Sequence, residues 1–112
     1  MSEHVLKLAT EPFDAIASGR KTIESRLFDE KRQAIKLDDT IVFINRDDPS
    51  QTLRVKVVGL QRCKTFAELF SSNDPAKFGG ESKEWLLNQI NEFYSTEDQQ
   101  QYGVVGIKFV LI

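Results

Sequence analysis

The segment Gly19-Arg20-Lys21-Thr22-Ile23-Glu24-Ser25-Arg26 contains a helix-ending glycine that is followed at once by strand-like alternation. Upstream, Thr10-Glu11-Pro12 is typical of a helix start, with a capping hydroxyl, an early acid and a first-turn proline. Gly19 suits the left-handed conformation that often follows a helix end. Downstream, apolar and polar positions alternate, which predicts a strand over residues 21–27. A short helix is therefore expected to turn directly into a strand.

The predicted strand presents charged side chains on one of its faces. Because alternate positions share a face, this face contains Thr22, Glu24 and Arg26. The other face, made of residues 23, 25 and 27, is expected to meet the core. Glu24 and Arg26 are about 7 Å apart along the strand, at roughly 3.4 Å per residue. Lys21 lies at the junction with the helix and is expected at the rim of a cleft.

Chemistry alone allows three interpretations of Lys21, Glu24 and Arg26. In a binding site, the glutamate would accept hydrogen bonds from a base, while the two cations would hold a phosphate or carbonyl oxygen. In a catalytic site, Glu24 would act as general base on a water, and the cations would stabilise the oxyanion. The third interpretation is ordinary surface ion pairing, worth about 0–1 kcal/mol. Spacing alone leaves all three open.

The rest of the sequence predicts four more strands and several short helices. The strands are expected at residues 4–8, 40–44, 53–60 and 104–111, and the second of these is expected to be buried on both faces. Gly59 is expected at a bulge, and Gly106 where another backbone approaches. One helix is expected over residues 66–70, with Thr65 and Glu68 forming a capping box. Further helices are expected from residue 82 or 83 to residue 94 and from residue 95 or 96 to near residue 103, whereas residues 29–39 are expected to form a loop.

This order of elements predicts an α+β fold, with residues 1–112 forming one domain. The expected shape is a small β-barrel, partly closed, of about five to six mostly antiparallel strands, with helices packed over its ends. The composition, 40% hydrophobic and 29% charged, is ordinary for a globular protein. No apolar run approaches the roughly 20 residues that cross a bilayer, and the N-terminus does not resemble a signal peptide. A cytoplasmic protein without a membrane partner is expected.

Metal and disulfide chemistry are not expected. Cys63 is the only cysteine and His4 is the only histidine, so no set of zinc ligands can be assembled. No dense acidic loop suggests magnesium either. We therefore expect no metal and no cofactor, and we interpret Cys63 as a packing residue.

Charge is distributed unevenly along the chain. The net charge of −2 argues against a protein that coats nucleic acid by charge alone. However, residues 20–36 contain six cations and three anions, and residues 54–64 contain four cations and no acid. Residues 65–101 contain seven acids and two lysines. Such segregation can steer an anionic ligand to one side of a protein.

The segment from Gly19 to Arg26 resembles the G-x-K-x-x-E-x-R signature of the ASCH family, a branch of the PUA-like folds. All four specified positions match: Gly19, Lys21, Glu24 and Arg26. The preceding helix (residues 11–18) and the closing strand (residues 102–109) are also similar to those of the family, so the resemblance spans nearly the whole chain. It implies a small β-barrel with a cleft that binds RNA, a nucleoside or a nucleotide. Protein partners are not indicated.

The resemblance also implies a hydrolytic alternative. Some ASCH proteins are reported as RNA-cleaving, and small bacterial members hydrolyse the acetyl amide of N4-acetylcytidine with a lysine, a threonine nucleophile and a glutamate. The lysine matches Lys21, but the threonine falls at the position of Glu24. Thr22 shares the predicted face about 7 Å away. Glu81 is the nearest counterpart of the catalytic glutamate.

The expected function is therefore binding of RNA or a nucleoside, with hydrolysis of a modified nucleoside or of RNA as the alternative. The expected binding or catalytic residues are Lys21, Glu24 and Arg26, with Thr22 and Glu81 as weaker candidates. Arg20 and Tyr102 are expected to contact the ligand, since an exposed tyrosine ring can stack on a base. Trp85 is expected to lie in the core because of its helical spacing.

Overall fold

A computed structural model describes residues 1–112 and contains five strands, five α-helices and one short 3-10 helix. In chain order, these are β1 (Glu3–Leu8), α1 (Thr10–Ala17), β2 (Ile23–Leu27), α2 (Glu30–Gln33), β3 (Thr40–Asn45), β4 (Thr52–Cys63), α3 (Phe66–Ser71), the 3-10 helix (Pro75–Phe78), α4 (Lys83–Asn91), α5 (Thr96–Tyr102) and β5 (Val104–Leu111).

The five strands form one curled sheet, half of a barrel, in the order β1-β3-β4-β5-β2. The pairing of β1 with β3 is parallel, and the other three pairings are antiparallel. The predicted α+β fold with a small, mostly antiparallel barrel-like sheet is confirmed. Since β1 and β2 form the two edges of the sheet, the half-barrel has one open seam, which lies between them.

The sheet separates two hydrophobic cores. The first core joins strand residues such as Phe43 to Ile16 of α1. The second core lies beneath α3 and α4 and includes Leu69. β5 contributes to both because alternate residues of a strand point to opposite faces: Ile107 belongs to the first core and Val104 to the second.

Three local predictions are wrong at the first two helices and β3. Thr10 is the first residue of α1 rather than its cap, and its hydroxyl instead donates to Asp47. The predicted loop at residues 29–39 contains α2, because the carboxylate of Asp29 accepts a hydrogen bond from the Arg32 N–H and caps the helix. Burial in β3 alternates rather than covering both faces, since only one face of this strand meets the core.

Of the two glycine predictions, the one for Gly59 is confirmed and the one for Gly106 is wrong. Gly59 lies at a register shift between β4 and β5, which confirms the bulge. At Gly106 the close neighbour is a side chain rather than a backbone: a Cβ there would lie 2.8 Å from Cδ1 of Leu69. α3 therefore packs directly onto β5 at this glycine.

The capping prediction for α3 is half right. Thr65 accepts a hydrogen bond from the Glu68 N–H as expected, but the Glu68 carboxylate accepts from Lys64 rather than from Thr65. A complete capping box forms instead at the start of α5, around Ser95. α4 ends at residue 91, earlier than the predicted residue 94.

The junction between α1 and β2 fixes the charged segment. Gly19 has a φ of 82°, the left-handed conformation expected after a helix. The Lys21 N–H donates to the Ala15 carbonyl at 3.0 Å, and the Thr22 N–H donates to the Lys77 carbonyl at 2.8 Å. Because α1 and the 3-10 helix hold these two residues, regular strand pairing starts only at Ile23.

Candidate functional site

Glu24 and Arg26 lie on the face of β2 that belongs to the first core. In the antiparallel pairing with β5, Glu24 is opposite Ile107 and Arg26 is opposite Val105, and both partners are buried in that core. Glu24 is only 4% exposed and Lys21 only 8%. The charged face of the strand is therefore directed into the molecule and not towards bulk solvent.

Four hydrogen bonds hold the Glu24 carboxylate. Oε1 accepts from Lys21 Nζ at 3.0 Å and from the backbone N–H of Ser25 at 3.1 Å. Oε2 accepts from Nε and Nη2 of Arg26, at 3.1 and 3.0 Å. We call Lys21, Glu24 and Arg26 the ion cluster. Its members are bonded to one another within one short segment of chain.

Arg26 also links the two edge strands of the sheet. Its Nη2 donates to the backbone carbonyl of Lys7 in β1 at 3.1 Å. Because β1 and β2 are the outermost strands, this bond crosses the gap that strand pairing would fill in a closed barrel. The ion cluster therefore lies at the open seam of the half-barrel.

The electrostatics of the ion cluster favour its charged form. Burial by itself raises the pKa of Glu24, but the neighbouring Lys21 and Arg26 more than offset it and lower that pKa to about 2. For Arg26, burial acts to lower the pKa, whereas Glu24 and the nearby Tyr94 phenol raise it above its ordinary value. Both groups are therefore ionised at neutral pH.

A cavity of about 330 Å³ opens beside the ion cluster. This volume lies within the range of sites that bind small molecules. Exposed cations line part of it, and we call them the cationic rim: Lys7, Arg20 and Arg46. Aromatic rings line another part, and we call them the aromatic wall: Phe70, Phe78, Trp85, Phe93 and Tyr94. The cavity thus combines flat apolar surfaces with an excess of positive charge.

The structure brings together four of the residues singled out from the sequence. The three members of the ion cluster and Arg20 all line the cavity. Three other candidates do not line it: Thr22, Glu81 and Tyr102. Thr22 is exposed, with its backbone bonded to Lys77 and Phe109, and Tyr102 is an exposed residue at the end of α5.

Several cavity residues were not predicted from the sequence. The helical spacing of Trp85 predicts a core residue, and Trp85 does pack against the second core, but it also lines the cavity. Trp85, Gln89 and Phe93 recur at every fourth position and all line the cavity, so helical spacing carried a signal for this wall. The sequence gives no such signal for Lys7 and Arg46, because these residues reach the cavity only through the pairing of β1 with β3.

The other side chains offer few alternatives for chemistry. No group of three or more histidine, cysteine, aspartate or glutamate side chains is arranged to hold a metal ion. Burial raises the pKa of the Cys63 thiol, and this residue packs against the second core. A bilayer could not be crossed by any helix of this fold, since none is both long and apolar enough.

Comparison with solved structures supports the fold over its full length. The hypothetical protein PH0355 is 33% identical to this chain, with both chains fully covered and a TM-score of 0.86. Protein PF0455 from Pyrococcus furiosus is 30% identical, covers 100% of this chain and 98% of its own, and gives a TM-score of 0.77. An ASCH domain from Lactobacillus crispatus shares the fold at 16% identity, with a TM-score of 0.66 over 98% of this chain and 79% of that domain.

Sequence comparison identifies the family. No curated protein sequence gave a match. The model of the ASCH domain, in contrast, matches residues 6–112, nearly the whole chain. That span contains the ion cluster, the cationic rim and the aromatic wall. The chain therefore belongs to the ASCH domain family.

Proposed function

We propose that this protein binds RNA or a nucleotide in the cavity formed by the ion cluster, the cationic rim and the aromatic wall. One observation supports this most: a cavity of nucleotide size combines aromatic rings with five cations and only two acids. Aromatic rings stack on bases of any sequence, and arginine and lysine pair with phosphate. The membership in the ASCH family, whose fold is PUA-like, points to the same class of ligand.

Within this proposal, a base lies against the aromatic wall. Trp85 and Tyr94 are partly buried, and the Tyr94 ring stacks on Phe66 with a centroid distance of 5.6 Å, which supports its orientation. Phe93 is 64% exposed and lines the cavity, so its ring is accessible to a ligand. When the ligand is an RNA strand, the cationic rim meets the phosphates that flank the bound nucleotide.

The hydrolytic alternative has less support. A general base near neutral pH needs a pKa close to 7, whereas Glu24 has a pKa of about 2 and is bonded to both neighbouring cations. Thr22 and Glu81 lie outside the cavity lining, and Ser25 is the one hydroxyl-bearing residue of the motif that lines it. Assays with N4-acetylcytidine and with single-stranded RNA test this alternative. Turnover above that of a Lys21→Ala variant would favour an enzyme.

A binding panel tests the main proposal. The chain has one tryptophan, Trp85, and it lines the cavity, so intrinsic fluorescence reports directly on occupancy. We expect at least one of the common nucleotides or short single-stranded RNAs to change this signal. Binding at 100 times the dissociation constant should also stabilise the fold by about 2.7 kcal/mol. If no nucleotide or RNA changes fluorescence or stability, the proposal is wrong.

Matched variants separate a specific site from general charge. Arg20→Ala and Arg46→Ala remove exposed rim cations and should weaken RNA binding without unfolding the protein. Lys64→Ala removes an exposed cation that does not line the cavity, and binding should be unchanged. RNA binding through the rim should weaken steeply with added salt, whereas binding of a neutral nucleoside should not.

A further inference from the structure

The hydrogen-bonding capacity of Glu24 is already used within the protein. A carboxylate has about four acceptor positions. In this chain, Lys21 and the Ser25 N–H occupy those of Oε1, and Arg26 occupies those of Oε2 with two donors. Glu24 can therefore accept no hydrogen bond from a ligand unless one of these internal bonds is broken.

The two cations of the ion cluster retain free donors. An ammonium group has three N–H bonds, and Lys21 Nζ gives only one of them to the protein, to Glu24. A guanidinium has five N–H donors. Arg26 uses those of Nε and Nη2 for Glu24 and Lys7 and lies beside the Tyr94 phenol, so Nη1 still keeps at least one donor for a ligand. The ion cluster consequently offers donors, and no unpaired carboxylate oxygen, to whatever fills the cavity.

The ion cluster also has a net charge of +1 in a place that water reaches poorly. Two cations face one anion, and the side chains of Lys21, Glu24 and Arg26 are 9%, 5% and 15% exposed. The remaining charged groups lining the cavity are the three cations of the rim and Glu11, so the rim does not cancel the excess. Burying an uncompensated charge is costly, and a bound anion would relieve that cost.

We propose that Lys21 and Arg26 bind the phosphate group of the ligand, while Glu24 positions both cations and does not touch the ligand. The ligand class is then a phosphate-bearing nucleotide or an RNA phosphodiester, and a neutral nucleoside is a poor substitute. This inference rests on the proposed function, since it concerns the same cavity. Charge-assisted hydrogen bonds of this kind are roughly twice as strong as neutral ones.

Paired ligands that differ only in phosphate test the inference. The four common nucleosides and their 5′-monophosphates are titrated against the full chain by Trp85 fluorescence and by calorimetry. We expect the tightest monophosphate to bind at least tenfold more tightly than its nucleoside. The same comparison is repeated on Lys21→Met, which removes the charge but keeps a long apolar stem, and on the control Lys64→Met. The tenfold preference should shrink to about threefold or less in Lys21→Met and persist in Lys64→Met.

Each outcome has a distinct meaning. Equal binding of nucleosides and monophosphates by the wild-type chain would overturn the phosphate assignment and leave the nucleotide cavity standing; this comparison needs no variant. A phosphate preference that survives in folded Lys21→Met would also overturn it, because the phosphate would then lie on the cationic rim. Absence of binding by all the ligands, including short RNAs, would reject the proposed function itself.

Discussion

Two buried carboxylates, Glu24 and Asp39, have pKa values lowered to about 2 by different surroundings. Glu24 is held mainly by the side-chain cations Lys21 and Arg26, beside a cavity. Asp39 is held by the His4 imidazole and by the backbone N–H groups of Lys36 and Ser2. It does not line the cavity.

The difference separates a proposed binding site, around Glu24, from a structural contact, around Asp39. Backbone donors have fixed positions and exist for any sequence, so Asp39 serves to hold the N-terminal residues against the start of β3. Three of the four hydrogen bonds on Glu24 come instead from charged side chains, Lys21 and Arg26, that line the cavity and retain further N–H donors. A buried carboxylate surrounded by side-chain cations is therefore better placed to organise a binding site than one surrounded by amides.

The largest expected effect follows from replacing the Glu24 carboxylate with a nearly isosteric, uncharged amide. Glu24→Gln leaves Lys21 and Arg26 buried without a counter-charge, and we expect a loss of about 3–5 kcal/mol in the free energy of unfolding. Urea denaturation measures this. The double variant Glu24→Gln/Lys21→Met should be more stable than the single one, because only one buried cation then lacks a partner. A loss below 1 kcal/mol for Glu24→Gln would show that the ion cluster is not buried as described.

The pH dependence of stability should report the lowered pKa of Glu24. A pKa of about 2 for Glu24 in the folded state, against an ordinary 4.5, means that the unfolded chain binds its proton first as the pH falls. Its stabilising contribution is complete above about pH 4.5 and is lost towards pH 2. The shift corresponds to about 3 kcal/mol. Unfolding measured between pH 6 and pH 2 should show a shallower fall for Glu24→Gln than for wild type. Identical slopes would contradict the assignment.

Asp39→Asn should be milder than Glu24→Gln. The amide keeps one oxygen for the backbone donors, and no buried pair of cations is left unpaired. We expect faster hydrogen exchange at the Ser2 and Lys36 amides, with nucleotide binding unchanged. If Asp39→Asn lost as much nucleotide binding as an ion-cluster variant, Asp39 could not be a purely structural residue, and the distinction from Glu24 would fail.

The smallest effect on stability is expected at Lys7. Lys7 is exposed, and the bond that it receives from Arg26 is to its backbone carbonyl, so Lys7→Ala keeps that bond. The free energy of unfolding should change by less than about 0.5 kcal/mol. RNA binding should nevertheless weaken, since one rim cation is lost. Unchanged RNA binding would place the RNA path away from β1.

Much of the fold could be predicted from local patterns. Strand alternation, the positive φ of Gly19 and the bulge at Gly59 all depend on neighbouring residues, and each appears as expected. The depth of Glu24 could not be predicted, because it depends on the pairing of β2 with β5, more than 75 residues later in the chain. The site is similar: one segment supplies the ion cluster, whereas Arg46 and Tyr94 join it only through tertiary packing.

The most direct test of the central claim is a crystal structure of the chain with the tightest-binding mononucleotide. The account predicts phosphate oxygens within hydrogen-bond distance of Lys21 Nζ and Arg26, a base against Trp85, and Glu24 still bonded to its two cations. A nucleotide whose base donates hydrogen bonds directly to the Glu24 carboxylate, or one bound outside the cavity, would contradict it.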